Sequence, residues 1–235
     1  MAVEGPRSTT VERATAIMEL LARHGGGMSI TELSRAFDAQ RASLYRILNA
    51  LIAARLVTRD AKKNYLLGVG TVFLSQAYLA RFPAGIDAVI AQLANSTGLT
   101  VTLVSEDNDV LTTVLTITPS GEAAHLYTPP GYVFPSGPLA TRTALKASLP
   151  PSPDDDEEVI EARAQGYAAA VWRSDIIRYG MSAVVPYEPG AASRLAIALI
   201  SITEFETADK VEPLLTAVQT LGGMIGSRGT MTNRR

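Results

Sequence analysis

Two short apolar runs at helical spacing, parted by three residues, constrain the first part of this chain more than any other feature. They lie in the stretch SITELSRAFDAQRASLYRILNALIAARLVTRDAKKNYLLG, Ser29 to Gly68. Ile30, Leu33 and Phe37 share one side of the first helix, and Leu44, Ile47, Leu48, Leu51 and Ile52 one side of the second. Glu32 follows Ser29 by three residues, the spacing of a capping box. Asp38-Ala39-Gln40 breaks the pattern between them. Leu56-Val57-Thr58 and Tyr65-Leu66-Leu67 then read as two strands around a polar tip, Arg59 to Asn64. An earlier helix spans Thr10 to His24, with Val11, Ala14, Ile17, Met18 and Leu21 on one face and Gly25-Gly26-Gly27 as its stop. Three helices followed by a hairpin make a winged helix-turn-helix.

The outward side of the third helix is cationic and rich in hydrogen-bonding groups. Gln40, Arg41, Ser43, Tyr45, Arg46 and Asn49 are its candidate nucleic-acid contacts, because an arginine near a helix N-terminus can donate to guanine edges or phosphates in a major groove. Lys62 and Lys63 at the hairpin tip are placed to reach a neighbouring phosphate. Charge segregates the same way. Residues 1–65 hold ten Lys/Arg against six Asp/Glu, a net +4, and residues 66–235 hold eleven against seventeen, a net −6. A basic head on an acidic body implies a polyanionic partner for the head alone. Some winged helices use the same face to bind protein, and that reading stands beside the first.

Beyond Gly68 the pattern changes. Gly68 to Phe82 reads as a linker helix, apolar enough to pair with its own copy in a dimer, and residues 84–97 as another helix closed by Gly98. LTVTLVSEDNDVLTTVLTITPS alternates like a hairpin turning at Asp107-Asn108-Asp109, and EAAHLYTPPG continues as a third strand and loop. Pro138 to Leu149 reads as a helix, and a Pro-rich loop leads to a further helix ending at Gly166. MSAVVPYE and SRLAIALISIT are strands joined by a turn at Gly190, and a last helix covers Thr207 to Ile225. The expected fold class is α+β: a winged helix-turn-helix over 1–68, a linker helix over 69–83, an antiparallel-sheet domain over 84–226 and a flexible tail over 227–235.

The segments TVERATAIMELLARHGGGMSITELSRAF, SLYRILNALIAARLVTRDAKKNYLLG, PLATRTALKASL, ARAQGYA and AIALISIT, in that order, resemble the IclR family of bacterial transcriptional regulators along nearly the whole chain. The resemblance implies a DNA-binding head, a linker helix and a GAF-like effector-binding domain. It also implies homodimers or homotetramers, operator DNA as partner, a small carboxylic acid as effector, and repression more often than activation. Positions matching the family's effector pocket are Leu126, Thr143, Ala144 and, on the later strands, Ser182, Ser201 and Thr203. The sequence departs from the family pattern at several points. Asp38 stands where the helix-turn-helix turn usually has glycine, and Ala140, Arg142 and Leu145 replace a histidine, a small residue and a glycine. Ala169-Ala170-Val171-Trp172 stands where an acidic pair is usual. The last replacement makes the expected pocket less polar and favours an aromatic or otherwise bulky effector, with Trp172 either stacking on it beside Tyr179 or serving as a core or dimer-contact residue.

Strand alternation would put the Ser201 and Thr203 hydroxyls on one sheet face, with Ile202 opposite. Arg142 and Arg178 are the cations that could pair with a ligand carboxylate, or with surface acids instead. Other chemistry is sparse. There is no cysteine, so disulfides, thiolate metal sites and cysteine nucleophiles are excluded. His24 and His125 alone do not make a zinc site. The acidic run Asp154 to Glu158 suits a helix N-terminus better than a metal site. No nucleophile elbow, Walker loop or dinucleotide fingerprint occurs. No enzyme, cofactor or metal is therefore expected, only a small-molecule effector. No signal peptide or membrane span is read, which suits a cytoplasmic protein.

Overall fold

The computed structural model describes residues 9–121, 124–173, 177–186 and 193–232, with the backbone alone for 227–232. The chain divides into two compact units, one ending at Arg81 and the other beginning at Phe82.

The first unit holds helices α1 (Thr9–Arg23), α2 (Ile30–Ala36) and α3 (Arg41–Ala53), strands β1 (Val57–Arg59) and β2 (Tyr65–Leu67), and helix α4 (Gly70–Leu79). Ile17, Leu21, Leu33, Leu44 and Leu48 form its core with Val57 and Tyr65, so each amphipathic helix buries the side its spacing marks. The two strands pair antiparallel, Thr58 opposite Leu66, and Met28 extends the ladder through two backbone hydrogen bonds with Tyr65. Gly68, just past β2, is packed against the chain leaving α3: a Cβ there would lie 2.3 Å from the carbonyl oxygen of Arg55. Helix α4 covers the core of the expected linker helix and exposes Val72, Phe73 and Leu74.

The start of α2 is held by a capping box. The Ser29 amide donates to the Glu32 carboxylate at 2.7 Å, and the Glu32 amide donates to Ser29 Oγ at 3.3 Å. The hydrogen bond from the Ser29 backbone, reinforced by its hydroxyl, holds the Glu32 carboxyl below the ordinary glutamate range. A depressed carboxyl stabilises the fold above its unfolded value, about 4.3, and ceases to do so as pH falls through the folded value. Glu32→Gln is expected to lower the melting temperature of the winged-helix unit at neutral pH, and the gap to the unaltered protein to close on acidification below about pH 4. A gap that persists unchanged at low pH in thermal melts would remove the carboxylate from this role.

The second unit is a five-stranded antiparallel sheet in the order β4-β3-β7-β6-β5, built from β3 (Thr100–Asp107), β4 (Val110–Ile117), β5 (Ala168–Arg173), β6 (Ile177–Val184) and β7 (Arg194–Ser201). One face carries Val101, Leu103, Met181, Ile197 and Leu199 and is covered by α5 (Ile86–Thr97) and α8 (Ala208–Thr232). The other face carries small residues, among them Ala168, Ala170, Ala196 and Ala198, and receives α6 (Ala140–Ala147) and α7 (Glu157–Gln165). The architecture is α+β with a winged helix-turn-helix at its N-terminal end, as expected.

The details differ from the sequence reading in three places. The described part of EAAHLYTPPG makes no strand: residues 124–131 are irregular, Pro129 and Pro130 cannot donate to a ladder, and only Val133 beyond them bridges to β4, at Thr112. Strand β5 was not anticipated, because three consecutive alanines carry little strand signal and only pairing with β6 extends them. The expected turn at Gly190 lies outside the described residues. Helix α8 runs to Thr232, beyond the end expected at Ile225. No proline follows Ile225 to stop it, and Gly226 and Gly229 each cost only about 1 kcal/mol.

Candidate nucleic-acid interface and ligand cavity

The helix-turn-helix is assembled by local chemistry. Phe37 closes α2, Asp38 takes a left-handed conformation with φ of 41°, and Gln40 begins α3. Ser34 Oγ donates to the Ala39 carbonyl at 2.7 Å across this turn. Asp38 occupies a position that glycine adopts without steric cost, and aspartate is among the few side chains tolerated there.

With Leu44, Ile47, Leu48 and Leu51 buried, α3 presents Arg41, Tyr45, Arg46 and Asn49 outward, and all four are exposed with Gln40 before them. Tyr45 is 40% exposed although aromatic. Arg41 is steadied by a hydrogen bond to Thr31 Oγ1 at 3.1 Å, which ties the start of α3 to α2. Ser43 is half-buried and turned toward α1, where it and Arg46 line an open groove with Arg13 and Met18. The hairpin tip is a built turn. Asp60 accepts from the Asn64 amide at 2.8 Å and from its side chain at 3.1 Å, Lys63 is left-handed with φ of 66°, and Lys62 and Lys63 are exposed. Arg59 lies over the buried Tyr65 ring at 5.0 Å, so that cation is spent within the unit.

In the second unit, the sheet face of small residues and the chain between β4 and α6 enclose a cavity of about 240 Å³. Its walls are largely aromatic: Tyr127, Tyr132 and Phe134 from the loop, and Trp172 from β5. Arg178 of β6 lies over the Trp172 ring at 4.9 Å and brings a positive charge to the wall. The loop is fixed in two ways. Gly131 and Phe134 donate backbone hydrogen bonds to Thr113 and Leu111 of β4, and Tyr132 accepts one from Thr113. Beneath it, Thr116 Oγ1 donates to the Thr128 carbonyl at 2.6 Å, and Thr102 and Thr128 hydroxyls meet at 3.3 Å, all three side chains buried. A small aromatic molecule would find apolar walls, one cation and a few hydroxyls here.

The cavity gathers three of the eight anticipated effector residues: Leu126, Trp172 and Tyr179. Thr143 and Ala144 are on α6 but do not line it, and Ala144 packs toward α7. Ser182 is fully buried and donates to the Ile197 carbonyl of the neighbouring strand at 2.9 Å. Strand β7 stops at Ser201, so the expected alternation does not extend to Thr203, whose amide instead donates to Ser201 Oγ at 2.9 Å. Ser201 and Thr203 line a second cavity of about 250 Å³, together with Leu126 and His125. Arg142 points away from both cavities toward the β3–β4 turn, donating to the Asp109 carbonyl at 3.4 Å.

Tyr127, Tyr132, Phe134 and Thr128 were missed. Their signal was available: three aromatics within HLYTPPGYVFPSGPL are more than a solvent-facing loop of proline and glycine needs. The acidic run is accounted for internally. Asp156 caps α7 by accepting from the Val159 amide at 3.0 Å. The Ser152 amide and the Arg163 guanidinium hold the Asp155 carboxyl below its ordinary range. Among the described residues no group of three or more His, Asp or Glu is placed to hold a metal ion, and no helix is long and apolar enough to cross a membrane.

Residues 10–61 match the model of the IclR helix-turn-helix domain. No curated protein matches the chain in sequence. Solved structures share the fold along almost its whole length. An IclR transcriptional regulator from Alicyclobacillus acidocaldarius is 20% identical with a TM-score of 0.74, covering 94% of this chain and 100% of that one. HmgR from Pseudomonas aeruginosa is 21% identical with a TM-score of 0.69, covering 92% and 98%. An IclR homologue from Microbacterium hydrocarbonoxydans, solved in complex with 4-hydroxybenzoate, is 11% identical with a TM-score of 0.74, covering 93% and 100%.

Proposed function

We propose that this chain, whose residues 10–61 match the IclR helix-turn-helix domain and whose fold is shared by solved IclR regulators, is an effector-controlled repressor of a catabolic operon. It acts in the cytoplasm as a homodimer or a dimer of dimers. The observation that carries the reading is the outward side of α3, where Arg41, Tyr45, Arg46 and Asn49 stand exposed while the opposite side anchors the helix. Two such helices in a dimer enter successive major grooves of a near-palindromic operator, and Lys62 and Lys63 contact flanking phosphates. The aromatic-walled cavity receives a small organic effector, in keeping with the 4-hydroxybenzoate held by one structural neighbour. To act, that effector must bind one arrangement of the protein more tightly than another. No catalytic role is assigned to the second unit, whose cavity has no nucleophile–base pair among the described residues.

The test is a mobility-shift titration on DNA upstream of the protein's own coding region, repeated at rising salt and with benzoate or 4-hydroxybenzoate added. Sequence-selective binding that weakens steeply with salt and changes on adding the acid is expected. Absence of any DNA complex at low salt would favour a protein partner for the same face. Transcription in vitro then separates repression from activation.

A further inference from the structure

The two cavities of the second unit adjoin. Leu126 and Ile200 line both, one from the loop and one from β7. At Leu126 the chain passes from one chamber to the other: Ala124 and His125 line the second chamber, and Tyr127 and Thr128 the first. On β7, Ile200 belongs to both chambers, and Ser201 and those after it only to the second. The chambers differ in chemistry. The first, about 240 Å³, is walled by aromatic rings. The second, about 250 Å³, carries His125, Ser201, Thr203 and Glu204.

We infer that the Leu126–Ile200 wall sets the length of the effector, admitting a single-ring molecule to the first chamber and closing off the polar second one. This rests on the first chamber being the effector site. The physical argument is one of space and polarity. Two aliphatic side chains, both half-buried, line both chambers, which are of nearly equal size. A ring substituent pointing through them must displace packed side chains, which is costly because interiors are close-packed. Shortening one of the two opens a continuous space roughly twice as long. Leu126 is the better residue to shorten, since it sits on a loop, whereas Ile200 belongs to the central ladder between β3 and β6.

The experiment uses the full chain, Leu126→Ala and the volume-conserving Leu126→Met, with benzoate and 4-butylbenzoate as probes. Binding is read by the fluorescence of Trp172, the only tryptophan, and by thermal shift. The unaltered protein and Leu126→Met are expected to prefer benzoate. Leu126→Ala is expected to gain about tenfold for 4-butylbenzoate, the return on burying roughly two further methylene groups, while benzoate, which loses contact with the shortened side chain, binds no better than to the unaltered protein. A folded Leu126→Ala that keeps the original order overturns the inference, as does an unaltered protein that binds both probes equally. If neither probe binds any of the three proteins, the effector reading of the first chamber falls with it.

Discussion

Arg41→Ala combined with Arg46→Ala is expected to abolish operator binding at concentrations where the unaltered protein is saturated. Each arginine that reads a base edge contributes about 1–3 kcal/mol, so the pair accounts for roughly 2–6 kcal/mol, or about 30-fold to over 10⁴-fold in affinity. The two lie on one exposed helix face, neither belongs to the hydrophobic core, and removing them should leave the fold in place. Only Arg41 has a described tie within the unit, its bond to Thr31, and an exposed hydrogen bond of that kind contributes about 1 kcal/mol or less to stability. The salt slope separates the roles. Deleting a cation that neutralises a phosphate lowers the slope of log K against log salt by about one, whereas deleting one that reads a base edge relaxes sequence preference instead. Unchanged affinity, slope and preference in a folded double variant would take α3 out of the DNA groove.

Gly68→Ala is expected to destabilise the winged-helix unit by about 3 kcal/mol, at the upper end of what overpacking costs. The added Cβ would meet backbone on two sides, 2.3 Å from the Arg55 oxygen and 3.0 Å from the Val57 carbonyl carbon. No flexible side chain is there to give way. The same junction holds two short hydrogen bonds, Gly68 N–H to the Leu56 carbonyl and Gly70 N–H to the Arg55 carbonyl, each 2.8 Å, and any relief of the clash stretches them. For a unit of this size, about 3 kcal/mol corresponds to a fall of about 12–24 °C in melting temperature. Gly25→Ala makes the control, since its Cβ would meet nothing within 4 Å. Equal melting temperatures for the two variants would show that the junction opens freely. That would in turn release α4, which starts two residues later.

The winged helix was legible because its determinants are short-range. Apolar spacing marks the buried side of α1, α2 and α3, Ser29 and Glu32 mark a cap three residues apart, and Asp60 to Asn64 mark the wing turn. The outward residues of α3 follow from the inward ones by the helix repeat alone. The ligand cavity was only partly legible. Trp172 stands out in the sequence for its chemistry and lines the cavity, whereas Ser182 is suggested by position alone and is consumed by a bond to Ile197. The Ser201–Thr203 pairing assumes a strand two residues longer than the one that forms.

What the sequence determined by itself was the set of local elements, the polarity of their faces and the basic character of the head. Each of these depends on residues within a turn or two of one another. What only the tertiary structure decided was which residues share a cavity and which glycines have no room for a side chain. The loop at 126–134 meets Trp172 and Ile200 because the sheet order β4-β3-β7-β6-β5 sets strands from distant parts of the chain side by side. Gly68 faces Arg55 because the hairpin folds back on α3. Such proximities arise when apolar faces are buried against each other, and no pattern within a single segment encodes them.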